Sequence, residues 1–420
     1  MFIKYYSMLN GFITSQLAIL PSLKSYTHTG LLLAIRSVLL VVFSLISISI
    51  LTRIFDKDTY GLIAYVNSIW GMLSVFNLTG TPTALTNSIA KGLHGTYLFL
   101  LRKLVPYSIL GVCATAICGF WLHNYDNSEA GTILLLLSPF FLLKPLEYAK
   151  PFFTAVGRYN QLLQLELVFS FISFIIVTTL VIYTKSACNY LLSGTILSSL
   201  FAIYLFRRSR DYIANNNIHN VSYINSLTFS GINIFFLLAT KFDKFLVGKL
   251  AGLSALADYA IAYSIYSTFD SFIKNLLTPH IVKLARESVV INFRIIRKNS
   301  RLYLLFGFAC AIAYAISVFF LSITVLPEKY QLGVRYAYLF VLSIFVSPFI
   351  TIEYSLMKYQ ILPGLILKTD ICLKILKLML FILLLPTLGI YGLIMSIVAV
   401  DIISLFLYNY AIMRRVHKFD

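Results

Sequence analysis

The sequence predicts an all-α polytopic membrane protein of about twelve transmembrane helices, with both termini cytoplasmic. Composition, the spacing of apolar runs and the placement of basic residues carry that prediction. Of 420 residues, 59% are hydrophobic and 12% charged, and soluble domains carry about twice that charged share. Apolar runs fall at roughly 30–51, 61–81, 104–122, 131–153, 162–183, 188–206, 223–241, 256–277, 302–325, 335–356, 364–385 and 388–411. Each is near the ~20 residues that a ~30 Å hydrocarbon core requires. The runs are continuous instead of alternating, which argues against a β-barrel.

The net charge of +18 reads as topology and not as nucleic-acid binding, because basic residues collect in cytoplasmic loops and set orientation. With a cytoplasmic N-terminus, twenty-one Lys and Arg fall on the inside and eight outside, the latter including Lys241, Lys244 and Lys249. Five more (Arg36, Lys274, Lys368, Lys374 and Lys377) lie within the spans themselves.

Along the chain, residues 1–29 form a cytoplasmic or interfacial segment, with no compact apolar core and cleavage site of the kind a signal peptide shows. The fourth span is the least regular, because Lys144, Pro145, Glu147, Lys150 and Pro151 crowd its second half. Connections are short. The longest, about Ala285 to Arg301, reads as a basic interfacial helix. The five cysteines lie in or beside apolar runs without metal-like spacing, and the six histidines form no cluster, so neither a metal nor another cofactor is expected.

The two halves echo one another. "LIAYVNSIW" (62–70) aligns with "AIAYSIYST" (260–268), and this register brings "TPTALTNSIAK" (81–91) within one position of "TPHIVKLAR" (278–286). A parallel repeat of six spans follows, a first bundle over 30–210 and a second over 223–411, with a linker at 211–222 and a tail at 412–420. Such repeats place substrate between the halves in many transporters.

The stretch "ILTRIFDKDTYGLIAYVNSIWGMLSVFNLTGTPTAL" (50–85) resembles the opening helices of bacterial polysaccharide-transport flippases, in the multidrug/oligosaccharidyl-lipid/polysaccharide exporter superfamily. Arg53, Tyr60 and Gly61 fill the family's places, although its usual turn glycine is replaced by Phe55-Asp56-Lys57. "FFTAVGRYNQL" (152–162), "KFDKFLVGKLAGLSALADYAIAYSI" (241–265) and "LPEKYQLG" (326–333) are similar to later family segments. The resemblance implies two six-helix bundles around a central cavity in a bacterial inner membrane. It also implies transfer of a polyprenyl-pyrophosphate-linked oligosaccharide, such as an O-antigen unit, from the inner to the outer leaflet. A polysaccharide polymerase complex is the implied protein partner, and membrane lipids surround the chain.

Charges at hydrocarbon depth point to a site. Asp370, Lys374 and Lys377 fall within about 60° on one helical face. Lys374 lies about 15 Å from Gly364 at ~1.5 Å per residue, near mid-bilayer. A lipid-facing lysine there costs about 2.5–3.5 kcal/mol on the gentler scale, so this face should meet protein or a wet cavity. The alternative is an internal Asp370–Lys374 pair at i, i+4. Tyr259, Tyr263, Tyr266, Asp270 and Lys274 form a second stripe covering about 80°. Its tyrosines suit sugar rings or, equally, an aromatic packing seam. Arg36, with Ser37, Ser44 and Ser47 on its face, suits a phosphate. Arg36, Lys274, Lys374 and Lys377 are therefore the pyrophosphate candidates, and Tyr259, Tyr263 and Tyr266 the sugar candidates. Asp270, Asp370, Glu166 and Asp401 are the ion-coupling candidates.

Two other functions compete. A multidrug or small-molecule antiporter of the same superfamily would favour an acidic interior. An oligosaccharide polymerase or glycosyltransferase would need acid/base residues near the outer surface, where "NYDNSEAG" (124–131) offers only Asp126 and Glu129. No catalytic residue is expected.

Overall fold

A computed structural model describes residues 28–284, 300–360 and 363–416, and every regular element among them is helical. Of the expected interfacial segments at 1–29 and about 285–301, residues 1–27 and 285–299 lie outside the described residues. Helices α1 (His28–Ile54) and α2 (Lys57–Leu73) meet at a tight turn, where the Asp56 carboxylate accepts from the Thr59 N–H and so caps α2. There follow α3 (Thr81–Ile89), α4 (Thr96–Tyr125), α5 (Ser128–Leu137), α6 (Ala149–Ala155), α7 (Tyr159–Thr184) and α8 (Ala187–Arg210). The second half comprises α9 (Val221–Leu250), α10 (Leu253–Leu284), α11 (Ser300–Thr324), α12 (Gln331–Leu339), α13 (Val341–Gln360) and α14 (Pro363–Val416).

Seven of the described helices are long and apolar enough to cross a membrane, or nine when two bent pairs each count as one span. Each expected span falls on helix. The second is bent by 46° between Asn77 and Thr81, and the tenth by 42° between Leu339 and Val341. The fourth runs through α5, a 3-10 stretch (Ser138–Tyr148) and α6, as its prolines demand. Its Tyr148 hydroxyl donates to the Asn77 carbonyl at 2.5 Å, satisfying backbone that the second span's break leaves open. The last two spans are the two halves of α14, reversed at Gly389 (φ 60°, ψ −146°). Tyr408 reaches back to Asp370, and Gly392 lies against the Leu384 carbonyl, so the halves run antiparallel.

The first lobe is held by packing of α4 on α5, α1 on α7, and α7 on α8; the second by α11 on α13, α13 on α14, and α10 on α12 and α13. Between them α2 and α3 pack on α9, and α1 and α2 pack on α10. The seam is close because it is built on small residues. A Cβ at Gly61 would sit 1.9 Å from the Leu253 carbonyl oxygen, and one at Gly80 would sit 2.4 Å from the Ser230 nitrogen. Below Gly80 the seam is hydroxyl to hydroxyl: Thr81 with Ser226 at 2.5 Å, and Ser88 with Ser222.

Candidate functional site

The site lies where α1, α2, α9 and α10 enclose a cavity of about 460 Å³. Its charged lining residues are Lys241 and Lys244. Sequence reading assigned both to an outer connection. Instead α9 continues to Leu250, and between Lys241 and the turn at Gly252 there is no proline and only Gly248. Three residues apart, the two lysines share one helical face. Lys241 packs its stem over Gly71, and the Lys244 ammonium sits 3.8 Å above the Tyr263 ring centre.

Lys374 and Lys377 extend this basic surface. Lys377 lies within electrostatic reach of Lys244, and Lys374 within reach of Lys377 and Lys274; acids share the neighbourhood, with Asp243 acting on Lys244, Asp370 and Asp401 on Lys374, and Asp401 also in reach of Lys377. Lys374 stands 5.2 Å over Phe236 and Lys377 5.3 Å over Phe381. Among the described residues, none of Lys241, Lys244, Lys374 and Lys377 forms an ion pair. No Asp370–Lys374 ion pair forms among the described residues, although Asp370 still acts on Lys374; the Asp370 carboxylate accepts from the Tyr408 hydroxyl at 2.6 Å. Lys274 differs: it pairs with Asp270 at 2.5 Å, and Ser347 also donates to that carboxylate. Arg36 lies on α1, but its side chain is outside the described residues.

The acids nearby are held by hydroxyl donors. The fully buried Asp243 accepts from Tyr259 at 2.5 Å, and Asp401 from Tyr266 at 3.4 Å. These bonds commit the tyrosine stripe to the second lobe's interior. Tyr259 is buried, Tyr263 lies under Lys244, and Tyr266 stacks on Phe340 at 4.5 Å. Glu166 pairs with Lys150 at 3.4 Å, away from this cluster. Glu353, which the sequence reading passed over, is 4% exposed; Asn409 donates to its Oε1 at 3.0 Å, while Oε2 has no partner among the described residues.

Beside the α1–α2 turn the lobes are latched. Lys57 pairs with Asp258 at 2.7 Å, Lys329 donates to the Phe55 carbonyl at 2.7 Å, and Arg53 donates to that of Thr324 at 3.2 Å. Asp126, one of the two acids considered for catalysis, instead accepts from Lys249 at 2.6 Å and from Tyr65 at 3.3 Å. Tyr330 packs edge-on against Tyr60 at this latch. Burial pushes its phenol up, with Asp258 and Asp56 adding to the rise, so it stays a neutral plug.

The family described as "Polysaccharide biosynthesis protein" matches residues 29–285. No curated protein matches the sequence. Among solved structures, an inward-facing multidrug resistance MATE transporter of the MOP superfamily aligns with TM-score 0.67 at 11% identity, over 92% of this chain and 98% of its own. An outward-facing MATE structure gives 0.59 at 14% identity, over 93% and 98%. A MOP-superfamily transporter from Pyrococcus furiosus, titled for the reverse polarity of its binding pocket, gives 0.62 at 12% identity, over 93% and 98%. The shared fold is twelve helices in two bundles.

Proposed function

The chain belongs to the polysaccharide biosynthesis protein family, and from that premise we propose that it is a flippase for a polyprenyl-diphosphate-linked oligosaccharide. The observation that carries the proposal is Lys241 and Lys244 as the charged lining of the interlobe cavity, with Lys377 and Lys374 in electrostatic reach behind them and none of the four in an ion pair among the described residues. Ammonium groups in low dielectric with no direct ion pair, and only Asp243, Asp370 and Asp401 within electrostatic reach, gain from a visiting anion, and a diphosphate supplies that charge. An interlobe cavity whose charged lining is lysine also argues against a cationic drug as substrate.

The proposed cycle runs from inner to outer leaflet of a bacterial inner membrane, with bundles over 30–210 and 223–411 rocking about the 211–222 linker. The excess of basic residues in the inside connections supports cytoplasmic termini. In that orientation the Lys57–Asp258 latch is the outer gate, shut here, and substrate enters from the cytoplasmic side. For ion coupling, Asp270, Asp370 and Glu166 are engaged by Lys274, Tyr408 and Lys150, and Asp401 by Tyr266. Glu353, with one oxygen unpartnered among the described residues, is the stronger proton-exchange candidate.

The test is transport. Deleting the gene should accumulate lipid-linked repeat units on the inner face, and Lys241→Met/Lys244→Met should fail to clear them while inserting normally. Full clearance by that variant would remove the lysines from the substrate path. Drug export in place of lipid-linked transport would favour the antiporter reading.

A further inference from the structure

Beside the cationic cavity lies a second one of about 470 Å³, between α1, α7 and α8 in the first lobe, with no Lys, Arg, Asp or Glu in its lining. Its walls carry Ser47, Asn67, Ser170, Ser173 and Thr178, and among the described residues none of these side chains has a hydrogen-bond partner. The contrast with neighbouring positions is informative. Thr52 donates back to the Ile48 carbonyl at 2.8 Å, Ser68 to Tyr65 at 2.7 Å, and Thr195 to Leu191 at 2.8 Å. That is the usual fate of a hydroxyl in an apolar helix. Five groups left open on one cavity are therefore available to hydrogen-bond whatever enters it.

Asn67 is especially telling, since it is exposed while its helix neighbours Tyr65, Val66, Ser68 and Ile69 are buried. On α7 the open hydroxyls repeat on one face, while Val168, Phe171, Ile172, Ile175 and Ile176 occupy the exposed apolar face. Phe43 and Phe174, stacked at 5.3 Å, form an apolar wall of the cavity.

We infer that this chamber is a carbohydrate subsite, holding the neutral sugar proximal to the diphosphate. Neutral donors and acceptors beside aromatic rings match the mixed polar and apolar faces of a pyranose. Its position matches as well. The two cavities share Ser44, Ser47, Asn67 and Tyr190, so neutral lining gives way to Lys241 and Lys244 across one wall. A glycosyl diphosphate has that order, sugar bonded directly to phosphate. The inference rests on the flippase reading and adds that the first lobe reads the sugar while the second neutralises the charge.

The experiment measures binding to the full-length protein in nanodiscs with two probes: a polyprenyl diphosphate without sugar, and the same carrier bearing one hexose. Wild type should bind the hexose-bearing probe about tenfold or more tighter, the sum of a few neutral hydrogen bonds. Ser170→Ala/Ser173→Ala/Thr178→Val should erase that increment and leave the sugar-free affinity unchanged. Asn67→Leu, on a different helix, should cut it too, and serves where the triple variant does not fold. No increment in wild type, or one that survives these substitutions, overturns the subsite. Lys241→Met/Lys244→Met separates the two readings. If it leaves both affinities intact, the diphosphate proposal fails while the hexose increment still decides the subsite.

Discussion

At the scale of single residues, the account turns on which charged groups are satisfied. Lys274 was legible as a charged group in a span, and so was its partner four residues earlier, because i, i+4 spacing sets that geometry locally. Asp370 was not, since its partner Tyr408 sits thirty-eight residues on and arrives only through the fold-back at Gly389. Lys241 and Lys244 were misplaced because lysines near a span's expected end read as outer anchors. The signal available was the absence of a breaker before Gly252. Two predictions belong here. Lys374→Met/Lys377→Met should abolish transport with membrane insertion intact, checked by flipping in proteoliposomes beside a topology probe. Glu353→Gln preserves an acceptor for Asn409 but cannot exchange a proton. It should leave thermal stability within about 1 kcal/mol while making transport insensitive to an imposed proton gradient; retained sensitivity would exclude Glu353 as the coupling group.

At the scale of elements, helix existence was readable from apolar run length, and irregularity from proline and charge. The crowded fourth span breaks into α5, a 3-10 stretch and α6. The bend near Leu78 carries its own signal, Gly80 and then Pro82 in the first turn of α3, whereas the bend near Phe340 has neither glycine nor proline at the break and tertiary packing sets it. The short match between 62–70 and 260–268 placed α2 and α10 as counterparts, and they also pack on each other across the seam. Gly61 makes that approach possible. Gly61→Ala puts a methyl carbon 1.9 Å from the Leu253 oxygen and should cost at least about 1–3 kcal/mol of stability, visible as a lowered Tm. Gly194→Ala, with nothing within 4 Å, should not lower it. Equal effects at both positions would show that the seam is looser than described.

For the whole molecule, the fold follows from chemistry that any membrane chain obeys, whereas the site follows from departures from it. Helices close their own backbone hydrogen bonds in lipid, and small residues let the lobes approach. What remains unexplained by packing is a basic seam against a neutral, hydroxyl-lined chamber. The latch at Lys57 and Asp258 sets the state in which that seam is sealed on one side. Asp258→Asn should raise outer-face labelling of a cysteine at Asn67 several-fold, and the swapped pair Lys57→Asp/Asp258→Lys should bring it back down; labelling indifferent to both would remove the gate. The most direct measurement titrates a sugar-free polyprenyl diphosphate onto the wild-type protein and onto a variant with Lys241, Lys244, Lys374 and Lys377 all changed to methionine. Wild type should bind with an affinity that falls as salt rises, and the variant should lose at least about a hundredfold, since a buried ion contact is worth roughly 1.5–3 kcal/mol. Equal binding by the two proteins would contradict the account, because the interior bases would then have no anionic passenger to meet.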